Sequence, residues 1–220
     1  MNTVVISCRT LEAELNAALD NTGAAFPVIW LESGLHNTPK RLNERLSQEI
    51  GALKAERIIL AMGFCGNSLS GLGSETAELI VPRLDDCISL LLGGMNERRR
   101  ISSAHSAYFL TEGWMKGERN LWTEYQYSLA KYGKEQADII AEMMYGHYRT
   151  LALVDTGVFP VEKLWTQTEE IAETLHLERK VFSGTLDRLQ ELLTGPWDPN
   201  RYLIVPPGER IAPTQMLPET

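Results

Sequence analysis

The sequence predicts an α/β protein with an open, doubly wound, mainly parallel sheet flanked by helices, a Rossmann-like three-layer arrangement. Two observations carry this. Short apolar runs alternate with amphipathic helical stretches along nearly the whole chain. The runs are near-continuous in apolar residues rather than alternating, as expected for strands buried on both faces of a parallel sheet. Because such runs resemble buried helix in periodicity, the assignment rests on their shortness and on the turn residues that bound them.

"TVVISC" (3 to 8) is the first strand, and Leu11, Leu15, Ala18 and Leu19 then fall at helical spacing until Gly23 ends the pattern. "FPVIWLESGLHN" (26 to 37) is a strand and turn, followed by a helix with Thr38 as N-cap and Pro39 at its first position. "ERIILAMGFCGNSLSGL" holds the third strand, and "ELIVPRLDDCISLLLGG" a fourth that runs into a helix opening around Asp85, Asp86 and Cys87. "SAYFLTEGW" (106 to 114) is the fifth, preceding a long polar-aromatic helical stretch from "NLWTEYQ" to "MMYGHY". "RTLALVDTG" is the sixth, with the amphipathic helix "VEKLWTQTEEIAETLHL" after it. "ERKVFSG" with "TLDRLQELLTG" is the seventh strand and its helix, and "RYLIVPPGE" is the last strand.

Length is consistent with one α/β domain over residues 1 to 208 and a Pro-rich, frayed tail over 209 to 220. A net charge of −8 disfavours nucleic acid as the main ligand, and the one basic cluster, "NERRR" (96 to 100), reads as a solvated loop or helix end. No apolar run approaches the roughly 20 residues of a membrane span, and the first residues lack a signal-peptide layout. The expected location is cytoplasmic. Three cysteines are an odd count for a disulfide framework; a homo-oligomer is left open.

Ligands of open α/β sheets bind beyond the carboxyl ends of the strands. Cys8 ends the first strand, His36 lies in the turn after the second, Cys65 after the third and Cys87 after the fourth. Four consecutive βα units thus deliver one thiol or imidazole each to the same sheet edge. Three thiolates and an imidazole suit zinc, and an iron–sulfur cluster is the alternative. There is no CxxC knuckle, so the site depends on the fold to assemble it. Against it stands the tendency of cysteine to serve as a small buried hydrophobe, and of "GLHNTP" to be turn chemistry before a helix cap. His105, His147 and His176 are weaker ligand candidates.

The loop "AMGFCGNSLSGLG" (61 to 73) lacks the Lys-Ser/Thr of a phosphate loop and the GxGxxG order of a dinucleotide site. It does admit a rival reading, a metal-free enzyme with Cys65 as nucleophile and His36 as base. The backbone N–H groups of Gly66 and Asn67 are then the candidate donors to an oxyanion or a bound cofactor. Asp86, Asp155 and Thr111 are the further catalytic candidates at the strand ends, each weighed against a role as a helix or turn cap. The aromatic stripe of Trp122, Tyr125, Tyr127, Tyr132, Tyr145 and Tyr148 reads as helix packing.

The order "SC…L…E" (7 to 14), "LHN.P..L" (35 to 42), "FCGN…GL" (64 to 72), "VPR.DDCI.LLLG" (81 to 93), "YFLT.GW" (108 to 114) and "LVDTG" (153 to 157) resembles the family catalogued as domain of unknown function 1638. The likeness runs from residue 4 to about residue 207, with "CGN" and "DDC" its most specific parts. Genes of that family often sit beside corrinoid-dependent methyltransferase systems. The resemblance therefore implies a setting of corrinoid or one-carbon group transfer, with a corrinoid protein or methyltransferase as partner. It leaves open an accessory protein that delivers metal or corrinoid to such an enzyme.

Overall fold

The apolar runs form strands where expected. The computed structural model describes residues 2–117 and 119–216, with the side chains of His36 and Met216 outside that description. The strands are β1 (Thr3–Cys8), β2 (Val28–Leu31), β3 (Arg57–Ala61), β4 (Glu78–Pro82), β5 (Ala107–Leu110), β6 (Thr150–Asp155), β7 (Glu178–Ser183) and β8 (Tyr202–Val205). Between them lie α1 (Glu12–Thr22), α2 (Pro39–Ala52), α3 (Cys87–Leu91), α4 (Met95–His105), α5 (Glu112–Met115), α6 (Leu121–Tyr132), α7 (Lys134–Tyr145), α8 (Val161–Gln167), α9 (Glu169–Thr174) and α10 (Asp187–Thr194).

The architecture is α/β with mainly parallel strands flanked by helices, and the strands divide between two sheets. The larger has the order β2-β1-β3-β4-β8, with β8 antiparallel to β4 at the edge. The smaller has the order β5-β6-β7 and is wholly parallel. Every residue of β1 is buried, which accounts for its largely apolar run, and its buried Ser7 satisfies its hydroxyl on the Ala61 carbonyl at 2.9 Å. In β6 the side chains alternate between two cores: Ala152 and Val154 join the large one under the first sheet, Leu151 and Leu153 the smaller one with Leu110, Leu121 and Leu164. One strand thus ties the second sheet to both.

Helix boundaries follow local chemistry. Gly23 closes α1 at φ 68°, a left-handed position that glycine adopts freely. Pro39 sits at the first position of α2, whose Leu42, Leu46 and Ile50 face inward at four-residue spacing. The long helical stretch after β5 is broken at Gly133, φ 78°, into α6 and α7. Asn120 and Thr123 form a reciprocal capping box at the start of α6. Trp122 stacks on Tyr125 within this hairpin, at 5.5 Å between ring centroids, while Tyr127 and Tyr132 are exposed. "NERRR" lies within α4 rather than in a loop. At the base of the Pro-rich tail, Ile211 is buried and exchanges backbone hydrogen bonds with Gly71 and Leu72. Among the described residues no helix is long and apolar enough to cross a membrane.

One core group is electrostatically costly. Glu14, on α1, is fully buried; its Oε1 accepts a 3.4 Å hydrogen bond from the Thr156 hydroxyl, and among the described residues its Oε2 has no hydrogen-bond partner. Burial pushes this carboxyl above its ordinary range. The folded chain therefore favours the protonated form, so the contribution of Glu14 to stability is complete below the ordinary carboxylate pKa and is lost as pH rises through the raised value. Glu14→Gln is expected to match the parent in acid and to exceed it by about 1–2 kcal/mol near pH 8. Urea denaturation at the two pH values measures this, and a constant difference would contradict it.

Candidate functional site

The turns after β3 and β4 are fused through their backbones. A Cβ on Gly63 would stand 2.5 Å from both the Cα and the carbonyl carbon of Asp86, so no side chain fits there. That approach lets the Phe64 N–H donate to the Leu84 carbonyl at 2.8 Å and the Cys65 N–H donate to the Asp85 carbonyl at 2.9 Å. The chain then turns sharply through three left-handed residues, Cys65 (φ 41°), Gly66 (φ 67°) and Asn67 (φ 68°), two of which are not glycine. Such geometry is unfavourable for non-glycine residues and persists where surrounding structure imposes it.

Across this seam Asp86 is the N-cap of α3. Its Oδ1 accepts from the Ser89 N–H at 2.9 Å, and its Oδ2 is 2.7 Å from Nε of Arg98 on α4. Asp85 steadies the same turn by accepting from the Asp86 N–H and the Ser89 hydroxyl. Burial pushes the Asp86 carboxyl up, and the Arg98 guanidinium opposes that shift. Cys87, the first residue of α3, is thereby aimed at Cys65, with the two Sγ atoms 3.9 Å apart.

Cys8 at the end of β1 lines the same cavity as Cys65 and Cys87, a space of about 310 Å³ between the two sheets. Burial pushes the Cys8 thiol up to about 11; proximity to Cys87 adds to this and hydrogen bonding to Thr10 partly offsets it. The Cys87 thiol is also held well above its usual range, chiefly by its hydrogen bond with Cys65 and then by burial. Both groups are therefore protonated at neutral pH unless a cation displaces the protons. Cys65 is the partly exposed member of the trio.

The structure thus brings Cys8, Cys65, Cys87 and Asp86 to one cavity. Among the described residues no three His, Cys, Asp or Glu side chains form a ready metal-binding group. The backbone of His36 lies in a 3-10 turn, Ser33–Asn37, beside α2; its side chain is outside the described residues. The other sequence candidates occupy turns and caps. Gly66 and Asn67 are both exposed. Thr111 is buried and caps α5 by accepting from the Trp114 N–H at 3.4 Å. Asp155 accepts from the Gly157 N–H at 2.9 Å. None of these four is in the cavity wall.

With this geometry in place, comparison with known proteins is informative on one point. Residues 30–193 match the model of a family described as "Protein of unknown function (DUF1638)". The chain belongs to the DUF1638 family. No curated protein and no solved structure matches it. The DUF1638 match takes in Cys65, Asp86 and Cys87 and begins after Cys8.

Sequence reading missed the wall that faces the thiols: Glu32, Arg98, Tyr108, Trp114 and Tyr148. Arg98 had a usable signal, since it lies three residues before Ile101, the buried residue of α4, and so shares its face. Arg100, by contrast, pairs with Glu97 at the surface. The aromatic wall carried no local signal, because β5 and α5 meet the first sheet only through tertiary packing. A Cβ on Gly113 of α5 would collide with the Thr10 carbonyl oxygen.

Gly63→Ala places a methyl group against the Asp86 backbone. It is expected to lower the unfolding free energy by about 1–3 kcal/mol and to speed alkylation of Cys87. Denaturation curves and timed iodoacetamide labelling with peptide mapping read the two effects; an unaltered protein would refute the tight seam.

Proposed function

We propose that this is a cytoplasmic metal-binding protein in which Cys8, Cys65 and Cys87 hold zinc, or alternatively an iron–sulfur centre, with His36 as the candidate fourth ligand. The observation that carries the reading is the Cys65–Cys87 separation of 3.9 Å with Cys8 in the same cavity wall. Two thiolates bound to one zinc at about 2.3 Å in tetrahedral geometry stand about 3.8 Å apart, so this pair already has that spacing. The donor set is soft, as zinc and iron–sulfur centres prefer. A bound zinc with an exchangeable position would lower the pKa of a coordinated thiol or water. The proposed setting, methyl or other one-carbon transfer with a corrinoid protein or methyltransferase, comes from the family resemblance.

The chain's own contribution is positioning. The Gly63–Asp86 seam holds Cys65 opposite Cys87, and Asp86, held by Ser89 and Arg98, fixes the start of α3. Burial limits water around Cys8 and Cys87, and both must surrender protons on metal uptake, so affinity is expected to fall as pH falls.

Elemental analysis of anaerobically purified protein, with an ultraviolet–visible spectrum, tests the proposal. About one equivalent of zinc, or iron with thiolate-to-iron absorption, is expected, and less than about a tenth of an equivalent overturns it. Cys8→Ser, Cys65→Ser and Cys87→Ser should each reduce bound metal at least about tenfold.

The partial exposure of Cys65 favours one other reading, a metal-free nucleophile with His36 as base. In that case Cys65 alkylates rapidly near neutral pH, and Cys8→Ser and Cys87→Ser retain that reactivity.

A further inference from the structure

The cavity beyond the thiols has a marked chemical asymmetry. Among the described residues Arg98 is the one cation in its wall. Its Nε faces Asp86 Oδ2 at 2.7 Å and its guanidinium lies over the Phe109 ring at 5.7 Å. Among the described residues Arg98 makes this ion pair but no hydrogen bond of good geometry, its buried Nε included, which leaves the four N–H donors on its terminal nitrogens without acceptors. The carboxylates of the wall are engaged elsewhere: Glu32 with Arg45 at 3.4 Å, and Asp86 with Ser89 and with the Nε side of Arg98. The rest of the wall is largely apolar and aromatic, with Leu42, Met62, Phe109, Trp114 and Tyr148. The Tyr108 hydroxyl is already used, as acceptor from the Leu121 N–H at 3.3 Å.

We propose that this cavity binds a small monocarboxylic acid, its carboxylate on the terminal nitrogens of Arg98 and its compact apolar or aromatic body against Phe109, Trp114 and Tyr148. The proposal deepens the functional reading above and rests on it in taking this cavity as the working site. The acid would occupy the space that the thiols also line. A guanidinium fork matches a carboxylate in two parallel hydrogen bonds. A phosphate would call for more donors than one shared arginine, and those a phosphate site commonly recruits are capped or lie outside the cavity wall. The N-terminus of α3 is capped by Asp86, Gly63 is closed against the Asp86 backbone, and the exposed Gly66 and Asn67 do not line the cavity. A cavity of about 310 Å³ suits a ligand the size of a substituted benzoate.

The test is calorimetric titration of the full-length protein with benzoate, benzamide, benzylammonium and phenylphosphonate, on zinc-loaded and on chelator-stripped samples. Benzoate is expected to bind both samples, with benzamide and phenylphosphonate at least about tenfold weaker and benzylammonium weaker still. Arg98→Lys keeps the charge beside Asp86 but removes the fork, and should weaken benzoate at least about tenfold. Equal affinity for benzamide, preference for benzylammonium or phenylphosphonate, unchanged binding in Arg98→Lys, or no binding of benzoate at about 10 mM would overturn the proposal. The two readings fail separately. Benzoate binding without retained metal sinks only the metal centre, and full metal occupancy without benzoate binding sinks only the acid site.

Discussion

The site depends on one contact between two pieces of backbone. Where β3 and β4 end, Gly63 lies so close to Asp86 that the two turns share hydrogen bonds as a short extension of their sheet. Everything chemically notable nearby follows from that seam. It forces Cys65 into a left-handed turn, brings its sulfur to that of Cys87, and leaves the Asp86 carboxylate placed both to cap α3 and to receive Arg98. Backbone hydrogen bonds between adjacent strand ends are a stiff way to hold two side chains, because neither turn moves without breaking bonds made by the other. Preorganisation of this kind reduces the ordering cost of any ligand the thiols accept.

The second sheet supplies the opposite wall. By splitting its side chains between two cores, β6 fixes the smaller sheet at a set height above the larger one, and β5 and α5 then present Tyr108, Phe109 and Trp114 toward the strand ends of the first. A crevice beyond the carboxyl ends of parallel strands is where such folds place ligands. Here the far side of the crevice is built by another sheet, which makes it aromatic on one wall and sulfur-rich on the other. Burial of Cys8, and for Cys87 its hydrogen bond with Cys65 followed by burial, keep these two thiols protonated, so they are quiet until a partner with positive charge arrives.

Much of this was legible in the sequence, and the limits have physical causes. Strands such as β1 and β6 are short, apolar and bounded by turn residues, so their positions could be read directly. The three cysteines fell at strand ends, and parallel strand order gathers such ends on one edge; the meeting of Cys8, Cys65 and Cys87 in one cavity required no side-chain knowledge. Asp86 as a helix cap was equally visible. The division into two sheets was not, because a strand buried on both faces has the same apolar run whichever sheet it joins. Thr111 and Asp155 end their strands as expected, yet their oxygens are taken up by local N–H groups, a distinction that depends on rotamers and turn geometry rather than on position. Arg98 was hidden within a basic run whose neighbours face solvent.

Strand β8 has a bearing on how the chain is made. It is made after all the other described strands, yet it pairs with β4 and covers the edge of the larger sheet, with all of the smaller sheet encoded between the two. During synthesis the outer edge of β4 therefore stays without its final neighbour until β5, β6, β7 and the helices among them have been made. An open, apolar strand edge is a template for pairing with other chains. The order of elements thus exposes the nascent protein to misassembly longest at the strand that leads directly to Asp86 and Cys87, and co-translational protection would matter most there.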